Sequence, residues 1–109
     1  MSEESYPGWY SFVKKTHGNF IKALEQLGEV VRTEGPLDKK TSHLIQLAAG
    51  AAIRSEGAVH SHVRRAVEAG AKPEEIYHTI ILLTSTIGFP NTSAAMSWVY
   101  DVLGEKPGG

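Results

Sequence analysis

Apolar residues return along this chain at helical intervals, in stretches separated by glycine- and proline-bearing breaks. Phe20, Ala23, Leu24, Leu27, Val30 and Val31 keep the three-and-four spacing of one helix face, and Gly35-Pro36 closes that stretch. Asp38 is placed to cap a second helix running to about Ile53. Its Leu44, Ile45, Leu47, Ala48, Ala51 and Ala52 make more than half the circumference apolar, the pattern of a buried helix. A third runs from Ser55, an N-cap, to Gly70, which can turn left-handed past the last turn. Lys72-Pro73-Glu74-Glu75 opens a fourth, with proline at a tolerated first-turn position and acids after it. Ile76 to Phe89 has strand-like Ile and Thr content, but its length and opening predict one helix buried on most sides. Gly88-Phe89-Pro90 breaks the chain, Asn91 or Thr92 caps the last helix, and Gly104 ends it.

At the other end, residues 1 to 8 read as frayed up to the turn signal Pro7-Gly8. Trp9, Tyr10 and Phe12 then cluster before a break at His17-Gly18-Asn19, as in a short element docked on the body or on a neighbouring subunit. No strand pattern, internal repeat or low-complexity segment occurs. The expectation is all-α: one domain over residues 1–109, with residues 1–18 an N-terminal extension and 105–109 a mobile tail.

Chemistry, if present, belongs to the Ser55–Gly70 helix. At roughly 100° per residue, His60 and His62 point about 200° apart and cannot share a face. His60 lines up with Glu56, Arg64 and Glu68, a polar stripe, and is predicted exposed. His62 lines up with Ala58, Val59, Ala66 and Ala69 and is predicted to turn inward among small residues, where a ligand has room. A buried histidine bonded to a carbonyl is the structural alternative. In the preceding helix His43 shares a line with Gly50, which permits close approach by another helix; otherwise His43 is an edge residue with its tip in water. Thr84, Ser85 and Thr86 are expected to bond their own backbone a turn earlier.

Composition narrows this picture. A net charge of −1 with scattered Lys and Arg argues against a nucleic-acid surface. The apolar run Leu47 to Ile53 is too short to span a bilayer, and no secretion signal is visible, so a cytoplasmic location is expected. The chain has no cysteine, which removes disulfides, thiolate nucleophiles and zinc–thiolate sites. His43, His62 and His78 have no local two-ligand spacing, so no metal and no cofactor are expected.

Several segments then match a known pattern in order and spacing: Pro36-Leu37-Asp38 with Thr41, Leu44-Ile45 with Leu47-Ala48, His62-Val63-Arg64 with Ala66 and Ala69-Gly70-Ala71, Pro73-Glu74-Glu75-Ile76, and Gly88-Phe89-Pro90. Together, over Leu37 to Leu103, they resemble the carboxymuconolactone decarboxylase family, which includes the alkylhydroperoxidase D-like proteins. The resemblance implies a helical bundle that assembles into homo-oligomers, commonly hexamers built as trimers of dimers, with small-molecule pockets near subunit contacts. The redox branch of that family carries a glutamate, a Cys-x-x-Cys pair and a histidine; counted back from His62, these positions hold His43, Ser55 and Ala58. Only the histidine survives, and Ser55 is roughly 10 Å along the helix from it, too far for a direct dyad. A dithiol peroxidase is thereby excluded. The resemblance instead implies the decarboxylase branch, a cofactor-free lyase acting on a small carboxylic acid or lactone. His62 is then the candidate acid, and His43, Arg65 and Ser55 are the candidate substrate-binding residues. Loss of CO₂ needs a place for developing enolate charge and a proton donor at the carbon left behind, and Arg65 could anchor a carboxylate. Arg64, on the polar stripe, reads as a solvated charge. The alternatives are a non-catalytic helical assembly or ligand-binding protein with a relic pocket, and a histidine metal site.

Overall fold

The computed structural model describes residues 2–104, with side chains from residue 8 onward. Among the described residues seven helices occur in order: α1 (Ser2–Thr16), α2 (Gly18–Thr33), α3 (Lys39–Ala52), α4 (Glu56–Glu68), α5 (Pro73–Ile81), α6 (Thr84–Ile87) and α7 (Phe89–Leu103). No strand occurs among the described residues, and none of the helices is long and apolar enough to cross a membrane. The all-α expectation therefore holds. The chain divides into two compact units, Met1–Leu37 and Asp38–Gly109. The expected mobile tail, 105–109, lies outside the described residues.

The first unit is a pair of helices. Pro7-Gly8 does not interrupt α1, which runs through them from Ser2; the expected frayed start is helical instead. The two helices separate at His17, as the His17-Gly18-Asn19 break predicts. Trp9 and Phe12 stack with ring centroids 5.4 Å apart. The Tyr10 hydroxyl donates to the Glu25 carboxylate, and Lys14 Nζ lies 3.5 Å from the same group, joining α1 to α2. Ile21 is buried, whereas Phe20, Leu24, Leu27 and Val31, which share one face of α2 at heptad spacing, are about half exposed or more.

The second unit holds the core: Leu47, Val59, Val63, Ile76, Ile80 and Val99 are fully enclosed. Here α4 packs between α3 and α7, and α5 packs against both of those helices. Local chemistry sets the helix starts. Asp38 accepts from the Thr41 N–H at 2.8 Å, and the Thr41 hydroxyl first, then this backbone donor, holds its carboxyl below the usual range. Ser55 Oγ accepts from the Ala58 N–H at 3.2 Å. Glu75 reaches back to the Lys72 N–H at 2.8 Å and then to Lys40 Nζ at 3.1 Å, tying the start of α5 to α3. Both partners, the backbone donor first, hold the Glu75 carboxyl below its ordinary value.

The ends of α3 and α4 share one motif with different residues. After α4, Ala71 N–H reaches Ala66 O and Gly70 N–H reaches Val67 O, both at 2.9 Å, with Gly70 at φ +100°. After α3, Ser55 N–H reaches Gly50 O at 2.9 Å and Arg54 N–H reaches Ala51 O at 3.1 Å, but the left-handed residue is Arg54, at φ +61°. A non-glycine residue there costs about 1–2 kcal/mol. The Arg54 guanidinium donates to the Asn91 side-chain oxygen on α7, a contact that glycine could not make.

Three expectations change. The stretch from Ile76 to Phe89 is not one helix: α5 stops at Ile81 and the chain tightens through Leu83 N–H to Ile80 O, at 3.0 Å. Thr84 Oγ donates to Ile81 O at 2.8 Å, the backbone competition its hydroxyl invites, and Ile81 and Leu82 stand exposed. Next, α7 starts at Phe89, so Asn91 and Thr92 are inside it and donate back to Ile87 O and Gly88 O. Gly88, at φ +87°, makes that corner. Finally, α3 buries a single stripe of His43, Leu47, Gly50 and Ala51, leaving Ile45 and Ile53 exposed.

That stripe includes the tightest approach in the unit. A Cβ built on Gly50 would stand 2.9 Å from Ala58 Cβ and 3.5 Å from the Ala58 and Val59 backbone. Gly50→Ala would regain about 1 kcal/mol of helix propensity while overpacking costs ~1–3 kcal/mol. The expected net effect is a loss of up to about 2 kcal/mol, measured by urea unfolding; a stabilised variant would show that α4 yields freely.

Candidate functional site

Because α3 and α4 meet so closely at Gly50 and Ala58, the residues one and two turns further along also face each other. His43, on the same stripe as Gly50, is 1% exposed. His62 on α4 is half-buried. Their Nδ1 atoms lie 3.3 Å apart, with ring centroids at 5.5 Å and planes inclined by 35°. Two Nδ1 atoms at that distance cannot both bear hydrogen, so one ring donates and the other accepts. The donor–acceptor contact therefore couples the tautomers of the two rings. His43 is buried rather than an edge residue with its tip in water.

The other candidates are placed differently. Ser55 is engaged as the cap of α4, seven residues before His62. Arg65 is exposed in the last turn of α4, and Arg64 is the more enclosed of the two arginines. His78 is exposed on α5 and belongs to no cluster of three ligand-type side chains among the described residues. Gln46, one turn after His43 in α3, buries its side-chain carbonyl oxygen with no hydrogen-bond partner among the described residues. An unmet buried acceptor costs about 1–3 kcal/mol, which a ligand bringing a donor would recover. Nothing local in the sequence distinguishes a glutamine whose oxygen is buried from a solvated one, so Gln46 is visible only in the fold.

His60 requires a correction. It is 4% exposed, not solvated, and its Nε2 lies 3.1 Å from Asp101 Oδ2 on α7 and 3.7 Å from Glu56 Oε2. The angular reading of α4 was sound, but the centre of the buried arc was misplaced. Val59, Val63 and Ala66 form that centre, since α4 is covered by α3 on one side and α7 on the other. His62 lies on the α3 flank and His60 on the α7 flank of the same arc.

An enclosed and a half-buried imidazole thus bridge two tightly packed helices. The Carboxymuconolactone decarboxylase family model matches residues 19–101. The chain belongs to the carboxymuconolactone decarboxylase family. It is also 30% identical, over 94 residues, to an uncharacterised protein of Methanocaldococcus jannaschii, a match spanning 86% of this chain and 88% of that one. No solved structure matches it. Within the family this is a variant without the Cys-x-x-Cys pair, since its 109 residues include no cysteine. Thiol peroxide reduction has no starting residue here.

The burial of His60 gives a concrete expectation. His60→Ala removes an enclosed ring and leaves two carboxylates facing a void, at an expected cost of about 1–3 kcal/mol. Chemical denaturation of the variant checks this, and an unchanged midpoint would mean that α4 does not depend on His60.

Proposed function

We propose that the chain is a cofactor-free carboxy-lyase acting on a small carboxylic acid or lactone, with His62 as its proton donor. The observation that carries this reading is the 3.3 Å contact between Nδ1 of half-buried His62 and Nδ1 of enclosed His43. In the working state the pair holds one extra proton. His62 is imidazolium and donates through Nδ1 to neutral His43, leaving the Nε2 proton of His62 for the substrate. The bond to the carboxylate carbon breaks, CO₂ departs, and the electron pair stays on the substrate as an enolate or carbanion. That carbon takes the Nε2 proton, His62 becomes neutral, and solvent restores the proton. His43 is a positioning residue in this scheme: it fixes which nitrogen of His62 is free. The unmet oxygen of Gln46 would accept from a hydroxyl or protonated carboxyl of the bound molecule. Arg65, exposed on the same helix, would meet a carboxylate only after its side chain swings inward.

The test is CO₂ release from a panel of small activated carboxylic acids and lactones, read alongside thermal unfolding. His62→Ala should lose CO₂ release and keep its melting temperature. A wild-type protein inactive across the panel, or an active His62→Ala variant, would end the lyase reading. A ligand-binding protein without catalysis is the second reading, supported by the engagement of Ser55 as a cap. It predicts ligand-induced thermal stabilisation without turnover.

The same reading includes self-association. Phe20, Leu24, Leu27 and Val31 on α2, and Ile45, Ile53, Ile81, Leu82 and Phe89 in the second unit, leave large apolar side chains in water, and such surfaces favour symmetric assembly. Family resemblance points to a hexamer, a trimer of dimers, in a cytoplasmic setting. Light scattering at micromolar concentration should give a multiple of the 11.8 kDa chain mass; a monomer mass would refute the assembly.

A further inference from the structure

The α7 flank of α4 carries chemistry that the histidine pair does not use. Glu56 in the first turn of α4, His60 one turn on, and Asp101 near the end of α7 each offer one ligand atom, and the three atoms lie within 4.8 Å of one another. Among the described residues this is the one such convergence. The imidazole is 5% exposed and held in place by burial, whereas Glu56 and Asp101 are 57% and 40% exposed, so the cluster is open to solvent on its carboxylate side.

Two features go beyond proximity. Asp101 lies in the last turn of a helix, where the dipole disfavours a carboxylate. Its position is unfavourable for α7 alone and becomes favourable once positive charge sits between it and His60. Two of the three edges also match an ion's coordination shell, and the third lies within 4.8 Å. Ligand atoms about 2.0–2.1 Å from a tetrahedral zinc stand roughly 3.3–3.4 Å apart, and the Nε2 distances to the two carboxylates, 3.1 and 3.7 Å, bracket that edge. One buried nitrogen and two oxygens from two helices suit a borderline cation, with a fourth position left to water.

We propose that Glu56, His60 and Asp101 form a binding site for a divalent transition-metal cation of the zinc class, clamping the start of α4 to the end of α7. The cation occupies the Nε2 lone pair of His60, in place of the hydrogen bond to Asp101. Arg64 stands one turn beyond His60 and opposes the cation in part, which keeps the site weaker than a thiolate centre. The ion binds on the opposite flank of α4 from His62, so the site stands or falls independently of the lyase reading.

The experiment is calorimetric titration of the full chain, freed of metal by chelation and dialysis, with Zn²⁺ alone, and thermal unfolding with and without it. Binding of one Zn²⁺ per chain with a rise in melting temperature is expected. Asp101→Asn and Glu56→Gln each remove a ligand without opening a cavity, and each should weaken binding by at least about tenfold. Near-ultraviolet circular dichroism of the metal-free variants confirms that both remain folded. His62→Ala and His78→Gln should bind as the wild type does. No zinc binding, wild-type affinity in either carboxylate variant, or binding lost only with His62 would overturn the proposal; the last would place the ion at the histidine pair, and the first would leave His60 a hydrogen-bonded side chain alone.

Discussion

The approach of α3 to α4 at Gly50 and Ala58 is the contact on which the rest of the second unit depends. With only 2.9 Å between a notional Gly50 Cβ and Ala58 Cβ, the two backbones sit closer than alanine at both positions would allow. This closeness is what lets the two imidazoles, one turn from Ala58 and two turns from Gly50, meet at 3.3 Å. Wider packing would put the rings out of hydrogen-bond range and open a gap that the flanking small residues could not fill. The stripe of Gly50, Ala51 and Ala58 thus sets a distance, and the histidines use it.

Burial then assigns different work to neighbours on one helix. Val59, Val63 and Ala66 provide the apolar centre of α4, which gains about 25 cal/mol for each Å² taken from water. The flanks carry polar groups that must find partners, and each flank finds a different one. His62 meets another imidazole on α3, whereas His60 meets a carboxylate on α7. One partner can either donate or accept, whereas the other, a carboxylate, only accepts. The two histidines are chemically inequivalent because the helices beside them are.

Much of this architecture was legible in the sequence wherever the cause is local. Asp38 and Ser55 cap their helices, and Gly70 and Gly104 turn left-handed, because each action depends on residues within a turn. The inward turn of His62 and the close approach permitted by Gly50 each rest on a small-residue line visible in the sequence, but that the two lines bring His62 to His43 shows only in the fold. What depends on distant neighbours was not legible. His60 looked solvated because its own helix surrounds it with charge, and only Asp101, 41 residues later, shows that α7 covers it. The break at Leu82 and Leu83 has no glycine or proline to announce it; a threonine hydroxyl competing for Ile81 O marks it instead. Asn91 and Thr92 have the chemistry of caps, but the φ of +87° at Gly88 starts the helix before them.

The placement of His62 and His60 on opposite flanks of α4 makes that helix a partition. The fully enclosed Val59 and Val63 occupy the arc between the two imidazoles, so apolar surface stands between one polar contact and the other. An imidazole contact to α3 lies on one side and a carboxylate contact to α7 on the other. Each edge of the helix can therefore change its polar side chains while the partners of the other edge stay as they are.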